Sequence, residues 1–412
     1  MSRLRWLMIE LGRRLWVRAT LFAVAGILTA VAGIALAPLI PADWSGRIGA
    51  ASIGNVLQIL ASSMLAVATF SLATMVSAYA AASSATTPRV TELLIQDSSA
   101  QNALATFVGS FLFSLVGIIA LNAGVYGDSG RVVLFVATLG VIGLIVFTLL
   151  RWIDLLSRFG RVGDAIDRVE AAAAHAMRAR WKHPCIGGRM RVGPPPSAAS
   201  VSCVKIGYVQ HIDVEALERI ACMGGGEIHV DALPGAFVDS TRPLAWMSFV
   251  PDARIQDAVR DAFNVTPWRS FDQDPRFGVV VLSEIASKSL SPAVNDPGTA
   301  IATLAALVRV LAILTEARDE ESEIFYPHVF VPALVIEDLF NDAFSPISEC
   351  GAATLAVGVR LQKTLLSLSR LGHPAFRAAA RQQSQLALGR ARHRLPLAED
   401  VARLESLAAE LG

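Results

Sequence analysis

Charge and reactive groups are what this chain has least of. Of its 412 residues only 17% are Asp, Glu, Lys or Arg, against 53% hydrophobic. The mean hydropathy of +0.50 is too apolar for an ordinary soluble protein. A formal net charge of +1 suggests no nucleic-acid partner, because phosphate backbones call for a concentrated basic surface. The four cysteines (Cys185, Cys203, Cys222 and Cys350) lie far apart with no CxxC pair. They read as reduced thiols, which excludes a disulfide framework and a sequence-encoded zinc motif. Also missing are a GxxxxGK(S/T) phosphate loop, an HExxH pair, a GxSxG elbow and a GxGxxG after a strand. The seven histidines form no pair at helical ligand spacing. No catalytic residue, metal ligand or cofactor is therefore assigned, and no enzyme is expected.

What is present is apolar sequence in long runs. Four stretches are each about long enough to cross a bilayer, which takes about 20 helical residues. They run from Ala19 to Ile40, Asn55 to Ala82, Ala103 to Val125 and Val132 to Leu150. Tyr126-Gly127-Asp128-Ser129-Gly130 is predicted to turn between the last two. No Asp, Glu, Lys, Arg or His lies inside any of the four stretches, which excludes a proton-coupled pump or a voltage sensor built on buried charge. Arg3, Arg5, Arg13, Arg14 and Arg18 precede the first span, and Arg151, Arg158 and Arg161 follow the fourth. The two short outer loops carry only Arg47 and Arg131. Both termini are thus expected in the cytoplasm. Arg3 to Arg18, with Trp6 and Trp16, is either an interfacial amphipathic helix or an ordinary basic flank.

The expected organisation is a multi-span α-helical membrane domain (19–157) after a basic cytoplasmic segment (1–18). A helix, Asp164 to Trp181, and a Pro/Gly linker, Pro184 to Ser200, make up a connecting region (158–200). A cytosolic α+β domain follows, with a small β unit (201–250) and a helical half (251–412). Strands are expected at Ser202 to His211, Glu227 to Ala232, Pro243 to Phe249 and Tyr326 to Pro332, with a helix from Val214 to Cys222.

Two features carry functional expectation. Between Arg47 and Arg89 no side chain is charged, yet the second span is rich in hydroxyls. At 100° per residue, Ser62, Ser63, Ala66, Thr69, Ala73, Thr74 and Ser77 share one face of small residues. Met64, Leu65, Leu72, Met75 and Tyr79 lie opposite. Such a face predicts an interior helix, packed on the other spans or lining a pore or oligomer axis. The second feature is the segment from Ser289 to Ala300, in which Asp296 caps a helix with Pro297 in its first turn. Asn295, Asp296 and Thr299 there, with Arg276, form a candidate polar corner at a subunit contact or vestibule. Asp272, Asp274, Glu337, Asp338 and Asp342 are acidic residues that could join it.

These residues also carry a resemblance. Thr87-Pro88-Arg89 closes the hydroxyl-rich span, and Gly109-Ser110-Phe111-Leu112 follows in the third. Gly207-Tyr208-Val209-Gln210-His211-Ile212-Asp213, Asp272-Gln273-Asp274-Pro275-Arg276-Phe277-Gly278 and Leu290-Ser291-Pro292-Ala293-Val294-Asn295-Asp296-Pro297 come next, then Phe340-Asn341-Asp342-Ala343-Phe344. In this order they resemble an uncharacterised family of predicted bacterial membrane proteins, domain of unknown function 2254. Where that family has Gln-Phe-Ser-Pro-Arg, this chain has Ala85-Thr86-Thr87-Pro88-Arg89. The resemblance implies an integral inner-membrane protein with a cytosolic domain, and it supplies no activity. The expected partners are the lipid bilayer, further copies of the chain, and ions or small solutes. Three readings follow: a homo-oligomeric channel or pore-like transport protein lined by span two, a membrane-anchored scaffold or sensor whose cytosolic domain binds a ligand or protein partner, and a membrane enzyme using Asp272, Asp274 or Asp296.

Overall fold

The computed structural model describes residues 15–36, 50–95, 98–124, 128–158, 160–193, 199–317 and 324–411. The N-terminal flank before Leu15, the end of the first expected span, Tyr126-Gly127 and positions 194–198 of the expected linker lie outside these residues. The chain divides after Arg161 into two compact units.

The first unit is helical. It comprises α1 (Leu15–Leu36), α2 (Ala50–Ala85), α3 (Pro88–Ile95), α4 (Ser98–Asn122) and α5 (Asp128–Arg158). The expected 128–130 turn is instead the first turn of α5, and α3 is a short helix the hydropathy pattern does not announce. The helix α4 is central. Ala103 to Phe107, Gly109, Ser110, Phe113 and Ser114 are buried on nearly every side of it, as expected of a helix surrounded by others. Packed against it, α2 contributes Ile53, Leu57, Met64, Ala68 and Met75. Along another flank runs α1, where a Cβ on Gly109 would collide with the Phe22 ring. Small residues let membrane helices approach in this way. Gly109→Val should therefore separate α1 from α4 and cost about 1–3 kcal/mol by overpacking. A detergent melting curve matching wild type would contradict that contact.

The second unit starts with α6 (Val162–Lys182) and continues through β1 (Gly188–Met190), β2 (Ala199–Ser202), β3 (Gly207–Ile212), α7 (Val214–Gly224), β4 (Ile228–Val230), β5 (Phe237–Val238), β6 (Pro243–Met247), α8 (Ala253–Asp261) and β7 (Phe263–Thr266). Then come α9 (Pro275–Ser289), α10 (Pro297–Ala312), β8 (Tyr326–Val331), α11 (Ile336–Cys350), α12 (Leu355–Ser369), α13 (Pro374–Arg394) and α14 (Ala398–Ala409). One sheet has the order β1-β8-β4-β6-β2 and the other β5-β3-β7. Val209, Ile228, Val230, Leu244, Met247 and Val329 from both sheets meet Leu217 and Ile220 of α7 in one core. The strand set is wider than 201–250: β1 arises inside the expected linker by pairing in parallel with β8, and β7 pairs with β3.

By length and composition four helical stretches could cross a membrane: Ser52–Ala85, Ser99–Asn122, Gly130–Ser157 and Pro297–Thr315. The last is α10 with its 3-10 extension. It buries Ala300, Leu304, Leu307, Val310 and Leu311 within the second unit, and its Arg309 pairs with Glu170 of α6. It is the core helix of that unit. The first expected span is α1, 22 residues long, or about 33 Å at 1.5 Å per residue.

Candidate functional site

The hydroxyl-rich face of α2 points away from its own bundle. Ser62, Ala66, Thr69, Ala73 and Ser77 are exposed, and Ser63 and Thr74 are half-buried. The covered residues are Ile53, Leu57, Met64, Ala68, Ser71, Met75 and Ala82, on the opposite side of the helix by the 100° rule. Of the two alternatives, packing on α1, α4 or α5 is not what the single chain shows: Met64 and Met75 are covered and the small residues are not. Four of the face's hydroxyls are satisfied locally. Ser62 donates to Gln58 O at 3.0 Å, Ser63 to Leu60 O at 3.2 Å, Thr69 to Ala66 O at 2.9 Å and Thr74 to Ser71 O at 2.9 Å. The face therefore tolerates an apolar medium while keeping acceptor lone pairs outward. Large apolar side chains share this outward side of α2: Ile59, Phe70 and Val76 are exposed on or beside the small face, and Leu65 and Leu72 next to it. Outward from α1 stand Leu21, Ile27, Leu28 and Val31, and from α5 Val136, Leu139, Phe147 and Leu150.

The four residues of the expected polar corner do not converge. Arg276 sits in the first turn of α9, while Asn295, Asp296 and Thr299 lie past its other end. The rest of the helix, from Phe277 to Ser289, separates them, about 20 Å at 1.5 Å per residue. Asp296 is exposed and caps α10, accepting from Thr299 N at 3.1 Å and Thr299 Oγ1 at 2.6 Å. The Thr299 hydroxyl holds the Asp296 carboxyl below its ordinary pKa. Asn295 takes a positive φ of 49° that completes the turn. Asp272 and Glu337 are exposed.

Arg276 belongs to a different place, a half-open cavity of about 390 Å³ in the second unit. That volume lies in the range of small-molecule sites. Four arginines line it: Arg180 from the last turn of α6, Arg242 before β6, Arg269, and Arg276. The turn Leu233-Pro234-Gly235-Ala236 and the Ala333–Val335 approach to α11 form the remaining wall, with Asp231, Asp274 and Asp338. Most of these charges are matched. Arg269 meets Asp274 at 2.7 Å, Arg276 meets Asp338 at 2.6 Å and Asp342 at 2.7 Å, and Asp231 lies 3.4 Å from Arg191. Asp274 also caps α9 by accepting from Arg276 N and Phe277 N. Burial pushes its pKa up, opposed by the Arg269 charge.

Arg180 is the exception. It is 6% exposed, its Nη1 has no hydrogen-bond partner, and among the described residues no carboxylate lies within ion-pair distance of it. Burial lowers its pKa, while the charge of Asp274 acts the other way. The Arg242 guanidinium donates to the Phe237 carbonyl at 3.1 Å. A buried guanidinium without a direct ion pair costs several kcal/mol in desolvation, only partly offset by the charge of Asp274, and an anion in the cavity would offset more of it with charge-assisted bonds. Sequence reading missed Arg180, although a signal exists. Ala165, Val169, Ala173, Ala176 and Arg180 recur on the buried stripe of α6, so the arginine replaces an expected apolar residue.

The cavity depends on one glycine. Gly235 has φ +90°, and a Cβ there would collide with Asp274 Oδ2. Gly235→Ala should displace Asp274 from its cap and cost about 1–3 kcal/mol from strain alone. Unchanged thermal stability in that variant would count against the turn being fixed by this contact.

A bundle of apolar helices joined to an α+β unit defines a multi-span membrane protein. The chain belongs to the family described as "Predicted membrane protein (DUF2254)", which matches residues 12–367. It is 25% identical over 245 residues to uncharacterized proteins of Mycobacterium bovis (Mb1321c) and Mycobacterium tuberculosis (Rv1290c). The match covers 57% of this chain and 47% of each relative, so the chain spans about half their length. No solved structure matches it.

Proposed function

We propose that the protein is a membrane-anchored sensor whose α+β unit binds a small phosphate- or carboxylate-bearing ligand between Arg180, Arg242, Arg269 and Arg276. The observation that carries this reading is the buried Nη1 of Arg180, which lines a ligand-sized cavity and meets no protein acceptor. Thermal melting of the detergent-solubilised protein, titrated with phosphate, pyrophosphate and citrate at constant ionic strength, tests it. A specific anion at a hundredfold excess over its Kd adds about 2.7 kcal/mol, a rise of about 5–10 °C for a unit of this size. Stabilisation no larger than that from chloride would remove the reading. Arg151, Arg161 and Arg18 beside the spans favour an inner-membrane orientation with both termini and the α+β unit in the cytoplasm.

A second reading is favoured by the outward face of α2. Its outward side mixes Ser62, Ala66, Thr69, Ala73 and Ser77 with exposed Ile59, Phe70 and Val76, and small residues of this kind let a second helix approach closely. In this reading α2 packs about the axis of a homo-oligomeric channel. Ion flux from liposomes, with the oligomeric state measured alongside, tests it, and a monomer without flux would exclude it.

A further inference from the structure

Among the described residues, one group of metal-ligating side chains comes together away from the arginine cavity. Glu218 and Cys222 lie four residues apart on α7, hence on one face of the helix. His328 faces them from β8. The Glu218 Oε1 to His328 Nδ1 distance is 2.7 Å, and Cys222 Sγ lies 3.7 Å from each of those atoms. We propose that Glu218, Cys222 and His328 form a binding site for a divalent transition ion of the zinc class, independent of the anion cavity.

The geometry fits such an ion. Zinc sits about 2.3 Å from a thiolate sulfur and about 2.0–2.2 Å from imidazole nitrogen and carboxylate oxygen, in tetrahedral array. Donors at those lengths lie roughly 3.2–3.6 Å apart on one tetrahedral face, so the sulfur already stands at the right distance from both partners. Only the Glu218–His328 edge, now 2.7 Å, has to open, by about 0.6–0.9 Å. The other carboxylate oxygen of Glu218 accepts from His328 N–H at 3.0 Å, which fixes the carboxylate as outer hydrogen bonds commonly fix metal ligands. Both carriers are rigid. Helix α7 is capped by Asp213 and by the left-handed Gly225, and β8 is paired on both sides, to β1 and β4.

The donor set names the class of ion. One thiolate with one imidazole and one carboxylate suits a borderline-soft ion, whereas calcium and magnesium take oxygen cages. Cys222 is exposed and His328 is 48% exposed at its side chain, so a fourth position opens to water. Binding releases the Cys222 proton to solvent, and neutral His328 carries its remaining proton on Nε2, leaving Nδ1 to the ion. A structural His328–Glu218 pair alone would have no use for the sulfur, and that difference makes the site testable.

The experiment is titration of the purified full-length protein, in detergent under reducing conditions, with zinc and with cobalt(II). One ion per chain is expected, with a near-ultraviolet sulfur-to-cobalt charge-transfer band. Cys222→Ala should abolish the band and weaken zinc binding about tenfold or more, while its metal-free melting temperature stays at the wild-type value. Cys350→Ala, on another exposed cysteine, should leave both untouched. No band in the wild type, or a band that survives Cys222→Ala, would overturn the proposal.

Discussion

An Arg180→Met variant is expected to melt higher than wild type without ligand and to lose its response to anions. Methionine keeps much of the side-chain length and fills the end of the buried Ala165–Ala176 stripe without carrying a charge. Replacing buried charge with apolar volume is often stabilising by about 1–4 kcal/mol, and each kcal/mol moves the melting point about 2–4 °C in a unit of this size. Binding changes in the opposite direction. Hydrogen bonds to a charged group contribute about 1.5–3 kcal/mol, so affinity for phosphate or pyrophosphate should fall about 10- to 100-fold. The paired signs are diagnostic, since an arginine kept for the fold would lower stability when removed. A variant that melts lower would mean that Arg180 supports Asp274 across the cavity, not a ligand. Arg269→Met should behave in that way, because it strands the buried Asp274 carboxylate that Arg269 now pairs.

The second large effect is expected on α2. Thr69→Leu and Ser77→Leu place branched bulk on the outward stripe, opposite the residues that meet α4. The fold of the single chain should survive, because neither side chain is covered within it. Association should not survive: overpacking a close interface costs about 1–3 kcal/mol per site, or about 5- to 150-fold in the dissociation constant. Mass measurement in mild detergent would show the shift toward monomer, and liposome flux would fall with it. Wild-type protein that is monomeric at every protein-to-detergent ratio would dismiss the oligomer. An unaltered mass distribution in both variants would move any interface elsewhere. Ala68→Leu makes the complementary control, since it burdens the covered face and should lower stability instead.

The membrane helices were legible because a bilayer imposes a coarse demand, apolar length without charge, that local composition answers by itself. The corner between α9 and α10 was legible for a related reason: Asp296 and Pro297 act on backbone groups within three residues of themselves. What failed was long range. The strand β1 has three residues, Gly188–Met190, in a glycine- and proline-rich stretch, and owes its existence to a partner that begins at Tyr326. The helical wheel of α2 grouped its small residues correctly but could not say which face its neighbours would cover, because Met64 and Met75 suit lipid and bundle equally. Arg276 was singled out without its cavity, whose walls come from five separate stretches between Arg180 and Asp338. Glu218 and Cys222 show helical spacing in the sequence, but His328 stands 106 residues beyond Cys222.

The length of α2 has a geometric consequence. Its 36 residues span about 54 Å at 1.5 Å each, against about 30 Å of hydrocarbon. Tilting alone would need an angle near 55°, beyond the roughly 40° limit seen for membrane helices. At least one end must therefore stand clear of the acyl chains. About three turns of the helix at a tilt of roughly 40°, and about four without tilt, lie beyond the acyl chains, shared between the Asn55 and Ser84 ends. A membrane-impermeant reagent directed at single cysteines along the stripe would mark that boundary residue by residue.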